Sequence, residues 1–312
     1  MQITMSIGAV ERDTGLSKDA LRVWERRYGF PTPVRDSLGE RAYLLDQVDK
    51  LRILKRLLDQ GHRPGKIIHY GMEELQQLVQ QSVLATTESV SVSDATLSTL
   101  QGYLDLCKTH QTEALRHGLS QALSRMGLER FIVELLAPLN RLVGESWANG
   151  ALQIFEEHLY TESVQVVMRA AISSLQLPRG KIPAGPRILL TTLPLEQHGL
   201  GLLMAEAIFT QEGASCISLG VQTPIMDIIG AAQAQNADIV ALSVSGAMNP
   251  RLVLEGLTDL RGKLPVSTEL WVGGDCPVLA RRPPEAVYVL THLADISASL
   301  SAWHARHPGL TY

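Results

Sequence analysis

The chain has 312 residues, of which 45% are hydrophobic and 19% are charged, and its formal net charge is -4. This length predicts two or three domains with real cores, and the overall charge taken alone argues against a nucleic-acid-binding protein. The charge is uneven, however, because residues 1–70 contain 13 lysines and arginines against 9 aspartates and glutamates. The sequence therefore predicts a basic head on an acidic body.

Two short helices joined by a glycine-containing turn are predicted at the start of the chain. Residues 6–14 indicate the first helix, with Ser6 as its N-cap. Ser17 is positioned to cap the second, over Lys18–Tyr28, and the two helices together predict a helix-turn-helix. The second helix is rich in arginine, so it could lie in a DNA major groove with its arginines on bases and phosphates.

A small hairpin wing is predicted next. Residues 29–35 contain two prolines and a glycine and cannot be helical, while residues 39–43 indicate the returning strand. A third helix is expected over Gln47–Gln60, closed by Gly61. The order R-x-W-E-R-R-Y-G-F-P-x-P-x-R-x-x-x-G-x-R-x-Y, from residue 22 to residue 43, closely resembles the MerR family of transcription regulators.

This resemblance implies binding to double-stranded promoter DNA. The side chains expected to contact DNA are Lys18, Arg22, Arg26, Tyr28, Arg35, Arg41 and Tyr43. MerR proteins typically dimerise through a long coiled coil after the head, but residues 62–65 break the helix here and residues 69–100 lack sustained heptads. We therefore expect a head over residues 1–75, a Ser/Thr-rich linker over 76–96, and dimerisation in the body.

A four-helix bundle is predicted over residues 97–178, because four apolar stripes recur there at helical spacing. Trp147 is expected to end one helix, and Glu157 and His158 to start the next. A Trp, a carboxylate and a His gathered near one loop could cover a ligand. A core Trp beside a helix-start carboxylate is the competing interpretation.

A doubly wound, Rossmann-like parallel sheet is predicted over residues 186–305, where strand-like and helical runs alternate. Three loops at the carboxyl ends of its strands carry polar residues or glycines, namely Glu196-x-His198-x-x-Gly201, Ser243-x-Ser245 and Gly273-Gly274. Together they resemble the D-x-H-x-x-G…S-x-L…G-G signature of cobalamin-binding Rossmann domains. No G-x-G-x-x-G follows the first strand, so a dinucleotide site is disfavoured.

The cobalamin resemblance implies a role for each of these loops. His198 is the expected lower ligand of cobalt, and Glu196 would orient its imidazole, as outer-sphere carboxylates commonly do. Ser243 and Ser245 would hydrogen-bond the nucleotide tail of the cofactor, while Gly201, Gly273 and Gly274 would leave a slot free of side chains for it. The chain departs from the signature at Glu196, where Asp is usual, and at Ser245, where Leu is usual.

The order of all three predicted domains resembles the CarH/LitR cobalamin-dependent photoreceptors. That resemblance implies that Trp147, Glu157 and His158 cover the upper face of adenosylcobalamin. It also implies a homo-oligomer, dimer to tetramer, that represses promoters in the dark and falls apart when light cleaves the cobalt–carbon bond. Ala148 stands where the best-known members have a His that binds cobalt after illumination.

Two other functions stay open. A light-insensitive regulator would sense cobalamin, or another tetrapyrrole, by occupancy alone, as Ala148 suggests. A corrinoid methyl carrier is disfavoured, because the chain has a MerR-like head and no room for a substrate barrel, so no enzyme activity is expected. The scattered cysteines 107, 216 and 276, the lack of a signal sequence and the lack of an apolar run of about 18–20 residues favour a cytoplasmic protein without membrane contact.

Overall fold

The chain divides after Glu88 into an N-terminal and a C-terminal unit. The computed structural model describes residues 4–36, 39–59, 62–84, 94–175 and 185–308. Within these ranges, no helix combines the length and the apolar character that crossing a membrane requires. Each unit is described by itself below.

Serine caps and glycine turns define the helix-turn-helix, as the sequence predicts. The elements of the N-terminal unit are β1 (Thr4–Ser6), α1 (Ile7–Thr14), α2 (Lys18–Tyr28), β2 (Val34–Arg35), β3 (Arg41–Leu44), α3 (Leu45–Asp59), α4 (Pro64–Ile67) and α5 (Met72–Leu84). Ser6 Oγ accepts the Ala9 amide at 3.3 Å, and Ser17 Oγ accepts the Ala20 amide at 3.1 Å. Each cap satisfies an amide that the first helical turn leaves without a partner.

The wing is a hairpin of β2 and β3, extended into a three-stranded antiparallel sheet by β1. The predicted helix over 47–60 begins two residues earlier, at Leu45, and its predicted end at Gln60 and Gly61 lies outside the described residues. The boundary predicted at residue 75 is wrong, because α5 continues to Leu84. Leu75 is fully buried in the head core, so this helix packs as part of the head.

The predicted bundle is present in the C-terminal unit. It consists of α6 (Asp94–Lys108), α7 (Thr112–Met126), α8 (Leu128–Arg130), a π-helical segment (Phe131–Leu136), α9 (Ala137–Ala148) and α10 (Ile154–Leu175). The segments from α8 to α9 follow one another without a break and form one long helix. Pro138 lacks the N–H that a regular α-helix would bond, and the wider π-helical turn precedes it.

A five-stranded parallel sheet follows, which confirms the doubly wound fold. Its elements are β4 (Arg187–Thr191), α11 (Leu200–Gln211), β5 (Ser215–Gly220), α12 (Ile225–Ala234), β6 (Ile239–Ser243), α13 (Pro250–Lys263), β7 (Glu269–Gly273), α14 (Pro277–Arg281), β8 (Tyr288–Leu290) and α15 (Asp295–Arg306). The strand order is β5-β4-β6-β7-β8. The order reverses between β4 and β6, and ligands bind at such a switch point in open α/β sheets.

The bundle and the sheet share one hydrophobic core. Buried residues of the bundle, such as Phe131 and Val164, belong to the same cluster as Leu203 of α11 and Trp271 of β7. Asn140 of α9 also contacts the Met204 sulfur of α11 at 3.6 Å. The bundle is therefore packed onto the face of the sheet that α11 covers.

Candidate functional site

A buried carboxylate joins two loops at the switch point of the sheet. Glu196, in the loop after β4, is 1% exposed, and both of its oxygens are hydrogen-bonded. Oε1 accepts the His198 amide at 2.9 Å and lies 2.7 Å from His198 Nδ1. Oε2 accepts the amide of Ser245 at 2.7 Å and its hydroxyl at 2.8 Å. Ser245 follows β6, so the network ties together the ends of two neighbouring strands.

The hydrogen bonds around Glu196 favour one tautomer of His198. Burial alone would raise the pKa of Glu196, but the hydrogen bonds and charge of His198, with the Ser245 amide, hold that pKa below its usual value. An ionised carboxylate only accepts hydrogen bonds, so His198 Nδ1 carries the proton. In the neutral form of the ring, the lone pair is then on Nε2, the nitrogen outside the contact with Glu196. The His198 side chain is 58% exposed, so this ring can meet a ligand.

The loop that carries the histidine is held rigidly. Leu195 has a left-handed backbone, with a φ of 73°. The buried Thr192 hydroxyl donates to the Glu196 carbonyl at 2.8 Å and accepts the Gln222 amide, also at 2.8 Å. Gln222 follows β5, so the loops after β4, β5 and β6 support one another. Such support holds the His198 side chain in one direction.

Ser245 differs from its predicted role. The sequence predicts that its hydroxyl meets the tail of a ligand, but this hydroxyl donates to Glu196 and accepts the Ala247 amide at 3.3 Å. Ser243 lies directly beside Gly201, since a Cβ on Gly201 would lie 2.7 Å from Ser243 Oγ. Ser245 is therefore part of the support of His198, whereas Ser243 packs closely against Gly201 and its role toward a ligand stays a prediction.

The two glycines after β7 differ in how much room they leave for a side chain. Gly274 has a φ of 117°, and a Cβ there would lie 2.1 Å from the carbonyl oxygen of Val244. A Cβ on Gly273 would lie 3.4 Å from the Leu290 carbonyl oxygen, and its φ is outside the left-handed region. The Val244 backbone is itself held by a 2.9 Å hydrogen bond from its amide to the Gly273 carbonyl. Of the two, only position 274 requires glycine, because its φ suits a residue without a Cβ and no space is left for a Cβ.

Gly274→Ala is expected to destabilise the C-terminal unit by about 2–4 kcal/mol, because neither the strained φ nor the fixed carbonyl can adjust. Gly273→Ala is the matched control, with an expected loss of less than about 1 kcal/mol. Urea unfolding of the full chain, followed by circular dichroism, measures both. Equal stabilities of the two variants would contradict the assignment.

The three residues predicted for the upper face lie where α9 meets α10. Trp147 is half-buried and packs against the shared core. Glu157 ends the first turn of α10 and His158 follows it. Glu157 accepts the Thr161 hydroxyl at 2.7 Å and lies 3.7 Å from His158 Nε2. The His158 side chain is 71% exposed. Their role toward a ligand stays a prediction.

Most of the predicted DNA contacts are surface side chains. Lys18, Arg22 and Arg26 are exposed on α2. Arg35 is exposed on the wing, where its guanidinium donates to the Gly39 carbonyl at 2.8 Å. Tyr28 is half-buried at the end of α2. These positions are compatible with a helix and wing that meet DNA, and direct contacts remain predictions.

Two predicted DNA contacts need correction. Tyr43 is fully buried, and it lies opposite Met5 in the central strand of the three-stranded sheet, so its side chain cannot reach DNA in this conformation. Arg41 is 28% exposed and forms a two-point ion pair with Glu25, at 2.7 and 3.3 Å. Arg41 therefore fastens the wing to α2. β1, which pairs with β3 opposite Tyr43, has three residues and is too short for a recognisable pattern in the sequence.

The fold and these loops define the class of protein, and comparison with known families agrees. Residues 5–71 match the MerR HTH family of regulatory proteins, and residues 99–172 match the B12 binding domain family. The chain is thus a MerR-type transcription regulator that carries a B12-binding domain.

Relatives of full length narrow this class. The chain is 32% identical over 279 residues to the HTH-type transcriptional repressor CarH of Myxococcus xanthus. The aligned region covers 87% of this chain and 89% of that protein. The HTH-type transcriptional repressor CarA of the same organism is 27% identical, with 82% of each chain covered. The chain belongs to the CarH family of transcriptional repressors.

One solved structure supports the fold of the body. The Methanosarcina barkeri monomethylamine corrinoid protein is 16% identical, covers 64% of this chain and 96% of its own, and superposes with a TM-score of 0.51. At this level of identity the likeness concerns the fold alone.

Proposed function

We propose that this protein is a light-responsive repressor that binds adenosylcobalamin through His198 and releases promoter DNA on illumination. The observation that carries the proposal is the Glu196–His198–Ser245 network at the switch point of the sheet. Neutral imidazole is a common metal ligand, and a carboxylate on its second nitrogen raises its basicity. Membership of the CarH family supports the DNA-binding and repressor parts of the proposal.

The residues around His198 fit a corrinoid. His198 is exposed, and its Nε2, the ring nitrogen outside the contact with Glu196, would bind cobalt. A Cβ on Gly201 would lie 2.7 Å from Ser243 Oγ, and a Cβ on Gly274 would lie 2.1 Å from the Val244 carbonyl oxygen, so both glycines allow close packing at this edge of the sheet. We assign the nucleotide tail of the cofactor to this edge. When bound, adenosylcobalamin supplies a cobalt–carbon bond that light can cleave.

We assign the upper side of the cofactor to Trp147, Glu157 and His158. Trp147 would fill space beside the adenosyl group, and the Glu157–His158 pair, 3.7 Å apart, would hydrogen-bond its polar edges. Because the bundle shares one core with the sheet, a change at this face would be transmitted through packed side chains. We further propose that the loaded protein is a dimer or tetramer in the cytoplasm.

Oligomerisation would increase the affinity for DNA, because several heads would bind the same DNA together. Each exposed basic head adds phosphate contacts, and linking several heads raises the effective concentration of the others on the same DNA. Loss of the oligomer would then release DNA without any change within a head.

Purification with adenosylcobalamin in the dark tests this function. Size-exclusion chromatography and promoter-DNA retention are measured before and after blue-green illumination, with hydroxocobalamin-loaded protein as the control that has no adenosyl group to lose. We expect the dark protein to be the larger species and to retain DNA, and light to reduce both. Unchanged size and retention after complete photolysis would reject the light response.

A second candidate is a light-insensitive cobalamin sensor. The observation that favours it is Ala148, whose side chain cannot bind cobalt and which stands where the best-known members have a His. This candidate predicts that apo and loaded proteins differ in DNA retention, while illumination of the loaded protein changes nothing. The same set of samples therefore distinguishes the two.

A further inference from the structure

A side-chain contact joins the turn between α6 and α7 to the first turn of α10. His110, in the first of these turns, places Nε2 at 3.1 Å from Glu156 Oε1. Glu156 is 8% exposed, whereas the His110 side chain is 53% exposed. The ring of Phe155 packs against the imidazole, with centroids 5.1 Å apart. His110, Phe155 and Glu156 are called the corner clamp below.

Glu156 performs two tasks at once. Its Oε2 accepts the Gln153 amide at 2.7 Å and so caps the start of α10. Its Oε1 faces His110, and a buried carboxylate requires such a partner because desolvation of its charge is costly. The cap therefore depends on the imidazole, since loss of His110 would leave the carboxylate drawn toward water and away from the helix.

The clamp holds the segment that connects Trp147 to the Glu157–His158 pair. This connection comprises residues 149–153. The Leu152 amide donates a hydrogen bond to the Ser146 carbonyl of α9 at 2.9 Å, and the Leu152 side chain is buried. The hydrogen bond ties the connection to α9, and the Leu152 side chain packs in the core that the bundle shares with the sheet. The contact with His110 links it to a separate part of the bundle, 46 residues earlier in the chain.

We propose that His110 and Glu156 are positioning residues that set the geometry of Trp147, Glu157 and His158 toward an upper cobalamin ligand. This inference rests on the proposed function, which assigns those three residues to the upper face. Glu157 directly follows Glu156, so fraying of the first turn of α10 displaces it together with its neighbour His158. His198 is held by a different network, and its ligation of cobalt is independent of the clamp.

His110→Ala tests the clamp, and His117→Ala, an exposed histidine of α7, is the matched control. Amide hydrogen exchange of the cofactor-free protein is measured first. We expect exchange in residues 154–158 to rise about tenfold in His110→Ala, which corresponds to about 1.4 kcal/mol, with no change in α11. His110→Gln should restore protection, because its amide can donate to Glu156. Unchanged exchange in His110→Ala would overturn the clamp.

Cofactor binding is measured with the same proteins. We expect His110→Ala to bind adenosylcobalamin about tenfold more weakly and hydroxocobalamin within twofold of wild type, with an unaltered imidazole-ligated spectrum and recovery in His110→Gln. Equal losses for both cofactors, or no loss for either, would overturn the positioning role. Wild-type protein that binds no cobalamin would instead overturn the proposed function, and the exchange result would still decide the clamp.

Discussion

His198→Ala is expected to eliminate the imidazole-ligated absorption spectrum of bound cobalamin and to weaken cobalamin binding roughly 10–100-fold. The reason is that His198 is the exposed residue of a hydrogen-bond network in which Glu196 and Ser245 hold its imidazole in place. Glu196 is buried with four hydrogen bonds, and two of these come from Ser245. Spectral titration with hydroxocobalamin in the dark measures both the ligation and the affinity.

Neighbouring variants separate ligation from general damage to the loop. Gln197→Ala removes an exposed side chain between the two key residues and should bind like wild type. Glu196→Gln should keep some ligation with lower affinity, because an amide holds the imidazole less strongly than a carboxylate does. An imidazole-type spectrum that persists in His198→Ala would remove His198 as the ligand.

Local signals in the sequence were enough to predict most of the elements. Ser6 and Ser17 precede helices at the positions where a hydroxyl can satisfy the amides of the first turn, and both caps are present. The alternation of apolar strands with helices also gives the parallel sheet of the body. These features depend on residues close together in the chain, so periodicity and capping rules detect them.

The elements that the sequence did not reveal depend on distant residues or very short segments. β1 has three residues, and α14 has five, which is too short for a periodic pattern. α5 extends to Leu84 through residues that the sequence predicts as a linker, and its buried Leu75 belongs to the core of the head, so tertiary contact outweighs local composition at the start of this helix.

In the candidate site, too, contacts between residues that are distant in the chain could not be predicted from the sequence. Motif order placed Glu196 and His198 in the right loop, but the bond from Ser245 to Glu196 spans 49 residues. In the head, Arg41 and Glu25 are 16 residues apart, and an arginine in a DNA-binding motif does not reveal whether its partner is a phosphate or a carboxylate. Only the fold separates these possibilities.

Simultaneous Arg22→Ala and Arg26→Ala substitutions are expected to weaken promoter binding roughly 100-fold or more, since each arginine contact with DNA is worth about 1–3 kcal/mol. The two residues are four positions apart on α2, so they project from the same side of the helix. Both are exposed, and the Asp19 carboxylate beside Arg22 is exposed too, so that ion pair adds little to stability. The fold of the head should therefore survive the change.

The salt dependence of DNA binding distinguishes contacts of the two arginines with phosphates from contacts with bases. If both contact phosphates, the slope of log K against log salt should become less steep by about 2, and weakening should be similar on any DNA sequence. If they contact bases, the slope should hardly change, and the loss should be confined to the promoter. Arg251→Ala, an exposed arginine of α13, controls for the loss of positive charge. Promoter binding within about threefold of wild type would show that α2 is not the helix that reads DNA.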